Sequence, residues 1–478
     1  MDGMAHSVVS RKAKRAPLSA PISINLELTS GCNIQCRHCY NFWREDPASF
    51  KDSVSMEKID RLVAMIVASK VFHVILTGGE PLLNFPVMEY AARRLSEAGL
   101  SISTNSNLML ATPTKMERLR VAGLDHILTS LNSYDPATND HMMNKPGALD
   151  RIKEGIRTTR AAGIRVSANM VISTPNAEHV YETARLAAAL GVQKIFATRL
   201  VPSVTVEDPH GTILELDIAG ARRAVEDLAR AKRDFGIDVG TLISYPLCFL
   251  GDLATYADFV GRGCPAQTGN RMVLNANGDS HACTHEEENY GNVFEVGLTE
   301  AFGRMSRWHD GSYRYQGCAG CAYQEICGSG CRMAANSYYK RRDAQDPLFV
   351  GFDRIGVPYT LDIPAEIVQT VDRKAQVVVP PRIRFRQEDG YCLLNVRWAN
   401  AFAVPTELAV FLREQQAAGT PFDMDDLPGL EGRRHLLYLL FKDAVEPVDD
   451  AVRTLLLERP RMGASVNPFD LPDSALRV

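Results

Sequence analysis

Cysteine is the residue of this chain most able to do chemistry, and its spacing is far from random. Of eleven cysteines in 478 residues, Cys32, Cys36 and Cys39 form a CxxxCxxC loop, six more lie between residues 264 and 331, and Cys248 and Cys392 stand apart. An odd number does not suit a disulfide framework, and clustered thiols in a large chain of a reducing compartment point to metal. Three thiolates leave one iron of a [4Fe-4S] cluster without a protein ligand, open to a small molecule. A structural zinc site closes with four ligands, and no fourth cysteine is near in sequence. The run Cys318-x2-Cys321-x5-Cys327-x3-Cys331 is the strongest signal, expected from composition on the order of 0.0001 times per chain. Its spacing suits zinc as well as iron. Cys248 and Cys392 read as buried apolar thiols, with ligation the alternative.

The first loop follows a strand. Residues 22–29 alternate apolar and polar and run into Gly31-Cys32. Strand-like segments at 72–78, 100–104, 126–131, 166–172 and 194–198 then take turns with helix-like ones at 85–97, 113–122, 148–162 and 177–190. Six such repeats predict a parallel α/β sheet, either a partial (β/α)6 TIM-like barrel or an open doubly wound sheet. In a barrel, ligands sit at the carboxyl ends of strands, where Cys32, Gly78, Gly79, Glu80, Asn105 and Ser130 fall. The two glycines of Thr77-Gly78-Gly79-Glu80-Pro81 would let the backbone approach a ligand.

Residues 240–350 lose this rhythm and become rich in Cys, Gly, Tyr and Asn, with short elements such as RMVLNANG and a helical 298–308. Such a segment needs metal to hold it. Periodicity returns after KRRDAQDP with strands at 383–386 and 391–396 and a helix at 406–416 carrying Leu408, Phe411 and Leu412 on one face. Gly419 stops that helix, and a second apolar helix, HLLYLLF, follows. The chain therefore divides into a basic flexible arm at 1–20 with Arg11, Lys12, Lys14 and Arg15, a barrel at 21–238 and a cysteine-rich domain at 239–350. A linker at 351–379, a small α+β domain at 380–450 and a tail at 451–478 complete it.

The stretch Cys32-Asn-Ile-Gln-Cys36-Arg-His-Cys39-Tyr40 resembles the signature of the radical S-adenosylmethionine superfamily. The resemblance implies the partial six-unit barrel and a [4Fe-4S] cluster on Cys32, Cys36 and Cys39 whose open iron chelates the methionine amino and carboxylate groups. It further implies reductive cleavage of S-adenosylmethionine to a 5'-deoxyadenosyl radical that takes hydrogen from substrate. By the same resemblance His38 packs near the adenine, Gly78, Gly79 and Glu80 bind the methionine amino group, and Asn105, Ser130 and Asn132 line the ribose and methionine. As isolated polar groups at strand ends, these last would equally cap loops. Many relatives have Asp at the place of Asn132 and Arg where this chain has Met142, which leaves Lys145 or Arg199 for the carboxylate.

Cys264-x13-Gly278-x4-Cys283, then GNVFEVGL and the four-cysteine run, resemble the SPASM extension. That domain carries one or two auxiliary iron-sulfur clusters in radical enzymes that mostly modify peptides and proteins. The resemblance assigns Cys264, Cys283 and Cys331 to a first auxiliary cluster and Cys318, Cys321 and Cys327 to a second. The usual last cysteine falls at Phe349, and Asp346 three residues earlier becomes a candidate oxygen ligand. Cys248 or Asp258 are candidates to complete the first set, unless its last iron is open to substrate, and Cys392 is a further candidate from the terminal domain. Residues 380–450 resemble, more weakly, winged-helix-like modules that capture leader peptides by adding a strand to a sheet edge.

Together the resemblances imply a maturase that oxidises or crosslinks a ribosomally made precursor peptide, with an electron donor such as flavodoxin or ferredoxin. The alternatives are the same chemistry on a small molecule or a folded protein, and a non-catalytic iron-sulfur electron carrier or sensor. Fifty-three basic against 57 acidic residues leave a net charge of -4, so no basic field favours nucleic acid or a membrane surface. No apolar run suits a signal peptide or a membrane span, and the expected location is cytoplasmic.

Overall fold

The protein is described by a computed structural model covering residues 16–41, 52–202, 216–261, 263–458, 467–470 and 476–477. The basic cluster at 11–15 lies outside the described residues. Nine strands form the main sheet: β1 (Ser23–Glu27), β2 (His73–Thr77), β3 (Ser101–Asn105), β4 (His126–Ser130), β5 (Arg165–Ile172), β6 (Lys194–Arg199), β7 (Asp238–Gly240), β8 (Arg271–Leu274) and β9 (Ser280–His281). Their order is β7-β6-β5-β4-β3-β2-β1-β8-β9, parallel throughout except for β9 against β8. Helices α1 (Met56–Ala68), α2 (Phe85–Glu97), α3 (Pro113–Val121), α4 (Pro136–Met143), α5 (Ala148–Ala161), α6 (Val180–Ala189) and α7 (Ile218–Phe235) lie between the strands in sequence.

Strict alternation along the strands decides how this sheet is used. Ile24, Leu26, Val74, Leu76, Ile102, Ile127, Val166 and Ala168 are fully buried in the apolar core. The residues between them, Ile75 apart, are polar, and polar side chains meet one another on the other face. His73 bonds Ser101 at 2.8 Å and Ser103 at 2.9 Å, His126 bonds Ser167 at 2.9 Å, and Thr198 donates to Asn169 at 2.6 Å. An open doubly wound sheet covers both faces with helices and needs both apolar. A polar inner face is that of a partial barrel.

Helix α7 and strands β7, β8 and β9 go beyond the six expected repeats. Helix α7 starts at Asp217, whose carboxylate accepts from Gly220 N at 2.6 Å, and ends at the left-handed Gly236. Strand β8, within the segment RMVLNANG, pairs with β1 in register from Ser23↔Arg271 to Leu26↔Leu274. The cysteine-rich domain is thus continuous with the barrel sheet. It otherwise holds short helices: α8 (Leu247–Leu250), α9 (Val293–Val296), α10 (Leu298–Gly303), α11 (Ser306–His309), α12 (Gln324–Cys327) and α13 (Arg332–Tyr339).

The terminal domain begins earlier than the sequence suggests. Strands β10 (Leu361–Asp362) and β11 (Val377–Val378) flank helix α14 (Ala365–Asp372), within the expected linker. Ile367 and Val371, one helical turn apart, are fully buried, and α14 packs on α16 (Gly432–Phe441). Strands β12 (Arg384–Gln387), β13 (Cys392–Arg397) and β14 (Asn400–Val404) make an antiparallel sheet, followed by α15 (Thr406–Ala418), α16, β15 (Glu446–Pro447) and α17 (Asp450–Glu458).

This sheet docks on the amino ends of the barrel strands. Arg384 donates to Gly99 O at 3.1 Å and to Phe72 O, and the indole of Trp398 donates to Asp125 at 3.3 Å. Ile22 and Phe72 pack with Tyr391, Leu393 and Ala403. The end of the expected arm is held here too: Arg386 bonds Ala20 O at 2.6 Å and Pro21 O at 2.9 Å, and Ser19 N donates to Glu388 at 2.8 Å. Among the described residues no helix is long and apolar enough to cross a membrane.

Candidate active site

The chain leaves β1 at its carboxyl end and enters the cysteine loop through Thr29, Ser30 and Gly31. The end of β2 lies directly against this turn: Gly79 N donates to Thr29 O and Glu80 N to Gly31 O, both at 2.8 Å. A Cβ on Gly78 would stand 2.2 Å from Thr29 O, and one on Gly79 2.1 Å from Gly31 O. Gly78 also has φ +136°. The glycines are needed for the approach of two backbones, whatever else they do.

Glu80 is buried, and its carboxylate accepts from Leu82 N at 2.9 Å, Ser106 Oγ at 2.7 Å and Asn107 N at 2.8 Å. Burial pushes its pKa up, and these three bonds oppose that rise. The carboxylate thereby fastens the end of β2 to that of β3. Asn107 donates onward to Asn33 Oδ1 at 2.8 Å, and that oxygen lies 3.8 Å from Cys32 Sγ. Burial, with Glu80 and Cys39 nearby, pushes the Cys32 thiol up to about 11.

On its other side the loop leans on α4. Arg37 donates from its backbone to Met142 O at 2.9 Å and from Nε to His141 O at 3.1 Å, and Cys36 Sγ lies 3.8 Å from Met143 Sδ. Asn132 is buried, accepts from Val171 N at 3.0 Å and donates to Met143 Sδ at 3.2 Å. Met142 is buried and meets the loop through its carbonyl. His38 is half-buried in the loop, and Asn105 and Ser130 are half-buried at the ends of β3 and β4. Asn169 and Thr198 share the polar inner face. The alternation in VSANMVI and KIFAT already marks them as polar-face residues, although their types carry no motif.

Tyr40, next to Cys39, stacks on His285 with ring centroids 4.6 Å apart. His285 is two residues from Cys283, so this pair joins the first cysteine loop to the second group. Burial pushes the Cys283 and Cys331 thiols up, and Cys264 stands close enough to both to add to that rise. Cys331 Sγ also caps α13, accepting from Ala334 N at 3.4 Å. Cys318, Cys321 and Cys327 line one cavity together with Phe349, and Cys248 lines the same cavity. Cys248 therefore stands with the second set, not the first. Among the described residues no three His, Cys, Asp or Glu side chains are grouped as for a single metal ion.

Four candidates are committed elsewhere. Asp346 accepts from both Arg199 Nη atoms, one at 2.8 Å, from Cys331 N at 2.7 Å and from Leu348 N at 2.8 Å. Those four bonds use the lone pairs of both oxygens, so Asp346 braces the domain and has none left for iron. The same ion pair occupies both Nη atoms of Arg199, one of which donates also to Ser244 O at 2.9 Å, and leaves only its buried Nε without a partner. Asp258 holds Lys232 through both oxygens at 2.8 Å. Cys392 belongs to the terminal sheet, where its thiol donates to Arg386 O at 3.3 Å.

Residues 26–187 match the sequence model of the Radical SAM superfamily, so the barrel and its cysteine loop form a radical SAM domain. That superfamily consists of enzymes that use a [4Fe-4S] cluster with S-adenosylmethionine. The three soft thiols on one loop suit iron, which fits that group. The chain is 32% identical over 189 residues to the AdoMet-dependent heme synthase of Methanosarcina barkeri, covering 39% of this chain and 53% of that protein. It is 26% identical to the pre-heme d1 synthase of Dinoroseobacter shibae over 73% of this chain and 90% of that protein. It is also 26% identical to the mycofactocin maturase MftC of Mycolicibacterium smegmatis, over 69% of this chain and 83% of that protein. The fold is shared with Streptococcus suis SuiB bound to precursor peptide SuiA, at TM-score 0.55 and 18% identity over 69% of this chain and 75% of that one.

Proposed function

We propose that this chain is a SPASM-type radical enzyme that modifies a ribosomally made precursor peptide, giving an oxidised or crosslinked product. The observation that carries the reading is one chain with an open three-thiol loop at the strand ends and two further thiol groups, the one with Cys283 joined to it through Tyr40 and His285. When bound, the cluster and S-adenosylmethionine supply one-electron cleavage and hydrogen-atom abstraction. Cys32, Cys36 and Cys39 hold that cluster, and Glu80 keeps the loop ends in register. Gly78, Gly79, Asn105 and Ser130, with His38 from the loop, bind and orient the small molecule. The Tyr40 and His285 rings keep water from between the two groups. A flavodoxin or ferredoxin supplies electrons.

The terminal sheet receives the leader. Its β14 edge carries the Ala403 carbonyl, which accepts from Asn467 Nδ2 at 3.1 Å and so points outward. A peptide strand added there gains main-chain hydrogen bonds. Because this sheet docks on the amino ends of five-residue strands, the bound leader lies at least roughly 17 Å from the cysteine loop. The modified residue must then follow the leader by more than five extended residues.

Anaerobic reconstitution with candidate precursor peptides, read by mass spectrometry, tests the reading. Ala403→Pro removes the N–H that points outward with that carbonyl and should weaken peptide binding about tenfold. Equal binding to the variant and the parent removes the sheet from this role. Deleting the domain is a poorer test because it uncovers Ile22 and Phe72. The heme synthases among the relatives favour a second reading, a small tetrapyrrole-like substrate. Conversion of a porphyrin with no peptide modified would select it.

A further inference from the structure

We infer that Cys248 is the fourth protein ligand of the second auxiliary iron-sulfur cluster, standing in space for the cysteine that Phe349 replaces in sequence. The inference rests on the reading that the cysteine-rich segment holds clusters. It names a ligand that the sequence spacing does not assign.

Cys248 lies on α8, in the connection between β7 and β8, where Leu-Cys-Phe-Leu reads as core. The cavity beside it is lined by Cys248, Cys318, Cys321, Cys327, Phe349 and Phe352 among others. Four thiols on one cavity, with aromatic walls, are the donor set of a closed [4Fe-4S] cluster. Two backbone contacts fix Cys248 at this place. Its sulfur accepts from the N–H of Val350, the residue after Phe349, so it stands beside the position of the usual last cysteine. In turn, Cys327 accepts from the N–H groups of Leu247 and Gly330. The α8 turn, the four-cysteine run and the segment around Phe349 therefore meet at one point, with backbone donors already aimed at sulfur. Such N–H···S bonds are the outer-shell interactions that tune a cluster.

The other ligand candidates that the sequence offers are engaged. Asp346 is saturated by Arg199, Cys331 N and Leu348 N, Asp258 holds Lys232, and Cys392 sits in the terminal sheet. A consequence follows for the division of labour. A second cluster with four thiolates has no open iron and serves electron transfer alone. The set of Cys264, Cys283 and Cys331, nearer the cysteine loop through Tyr40 and His285, is the one left with a position for substrate or another ligand.

The test uses the full chain with Cys32, Cys36 and Cys39 replaced by Ala, so that only auxiliary iron is counted and the result is independent of the peptide reading. This protein and its Cys248→Ala derivative are reconstituted anaerobically with iron and sulfide, and metal content, acid-labile sulfide, Mössbauer and EPR spectra are measured. The expected result is loss of about one to four irons per chain, with a three-iron signal or the disappearance of one cluster's spectrum. Iron, sulfide and spectra equal to those of the parent overturn the inference. So does an equal loss from Cys392→Ala, a buried thiol outside the cavity, or a parent that takes up zinc instead of iron. Should C248A not fold, Cys248→Ser keeps the side chain's size. Its oxygen must shift one cluster's EPR spectrum, and an unshifted spectrum overturns the inference equally.

Discussion

Asp346 is the joint between the barrel and the cysteine-rich domain, and Asp346→Asn tests that role. The carboxylate is 1% exposed and its partner Arg199 7%. The substitution keeps the shape but removes the charge and turns one acceptor into a donor that faces other donors. Arg199 is left buried without its counter-charge, which costs about 3–5 kcal/mol when one member of such a pair is removed. At about 1.4 kcal/mol per factor of ten, the local opening constant rises roughly 150-fold to 5,000-fold. The amides of Cys331 and Leu348, which donate to this carboxylate at 2.7 Å and 2.8 Å, report the opening by hydrogen exchange in the metal-free chain. Combining the change with Arg199→Met should recover most of the protection, since a buried pair replaced on both sides by neutral groups is often tolerated. Exchange at Cys331 and Leu348 within threefold of the parent would refute the bracing role. D346N protein with intact amide protection but less iron would return Asp346 to the ligands.

Gly79→Ala should strip the first cluster selectively. The added methyl would lie 2.1 Å from Gly31 O and 2.5 Å from Gly31 C, so the cysteine loop must shift. Iron should fall by about four per chain while auxiliary iron remains, and full iron content counts against the packing described. The polar inner face also predicts acid sensitivity. Burial, with Arg384 and Arg271 nearby, depresses His73 to about 3, and burial with Arg165 nearby takes His126 to about 4. Both are neutral in the fold and gain a proton near pH 6.5 when unfolded. Their contribution is complete above pH 6.5 and is lost as pH falls toward 4, at about 1.4 kcal/mol per pH unit for each. Urea unfolding of the metal-free chain at pH 7.5 and 5.5 should show the loss, roughly halved in His73→Gln. A drop unchanged in H73Q would contradict it.

The barrel was legible because its strands alternate so cleanly. Ile24, Leu26, Val166 and Ala168 belong to the helix layer and Ser23, Asn25, Ser167 and Asn169 to the interior, and a period of two announces that directly. What stayed hidden depends on residues far apart in sequence. Strand β8 read as a fragment of the cysteine-rich segment because its partner β1 lies some 250 residues earlier. Asp346 looked like a ligand from its distance to Phe349, whereas Arg199, 147 residues away, claims it. Cys248 sits in an apolar tetrapeptide that reads as core, and only the folded chain brings it to Cys318, Cys321 and Cys327. Helix α14 carries only Ile367 and Val371 as a turn-spaced apolar pair, too little to mark it as part of a domain. The cysteine loop needed no tertiary information, since three thiols within eight residues are a local feature.

The most direct measurement is the amount of 5'-deoxyadenosine formed when the anaerobically reconstituted, reduced full chain meets S-adenosylmethionine. Formation that disappears in Cys36→Ala is the result expected of an open cluster on Cys32, Cys36 and Cys39. Iron-loaded protein that forms none, with candidate peptides and porphyrins both present, would contradict the radical reading and leave an electron carrier in its place.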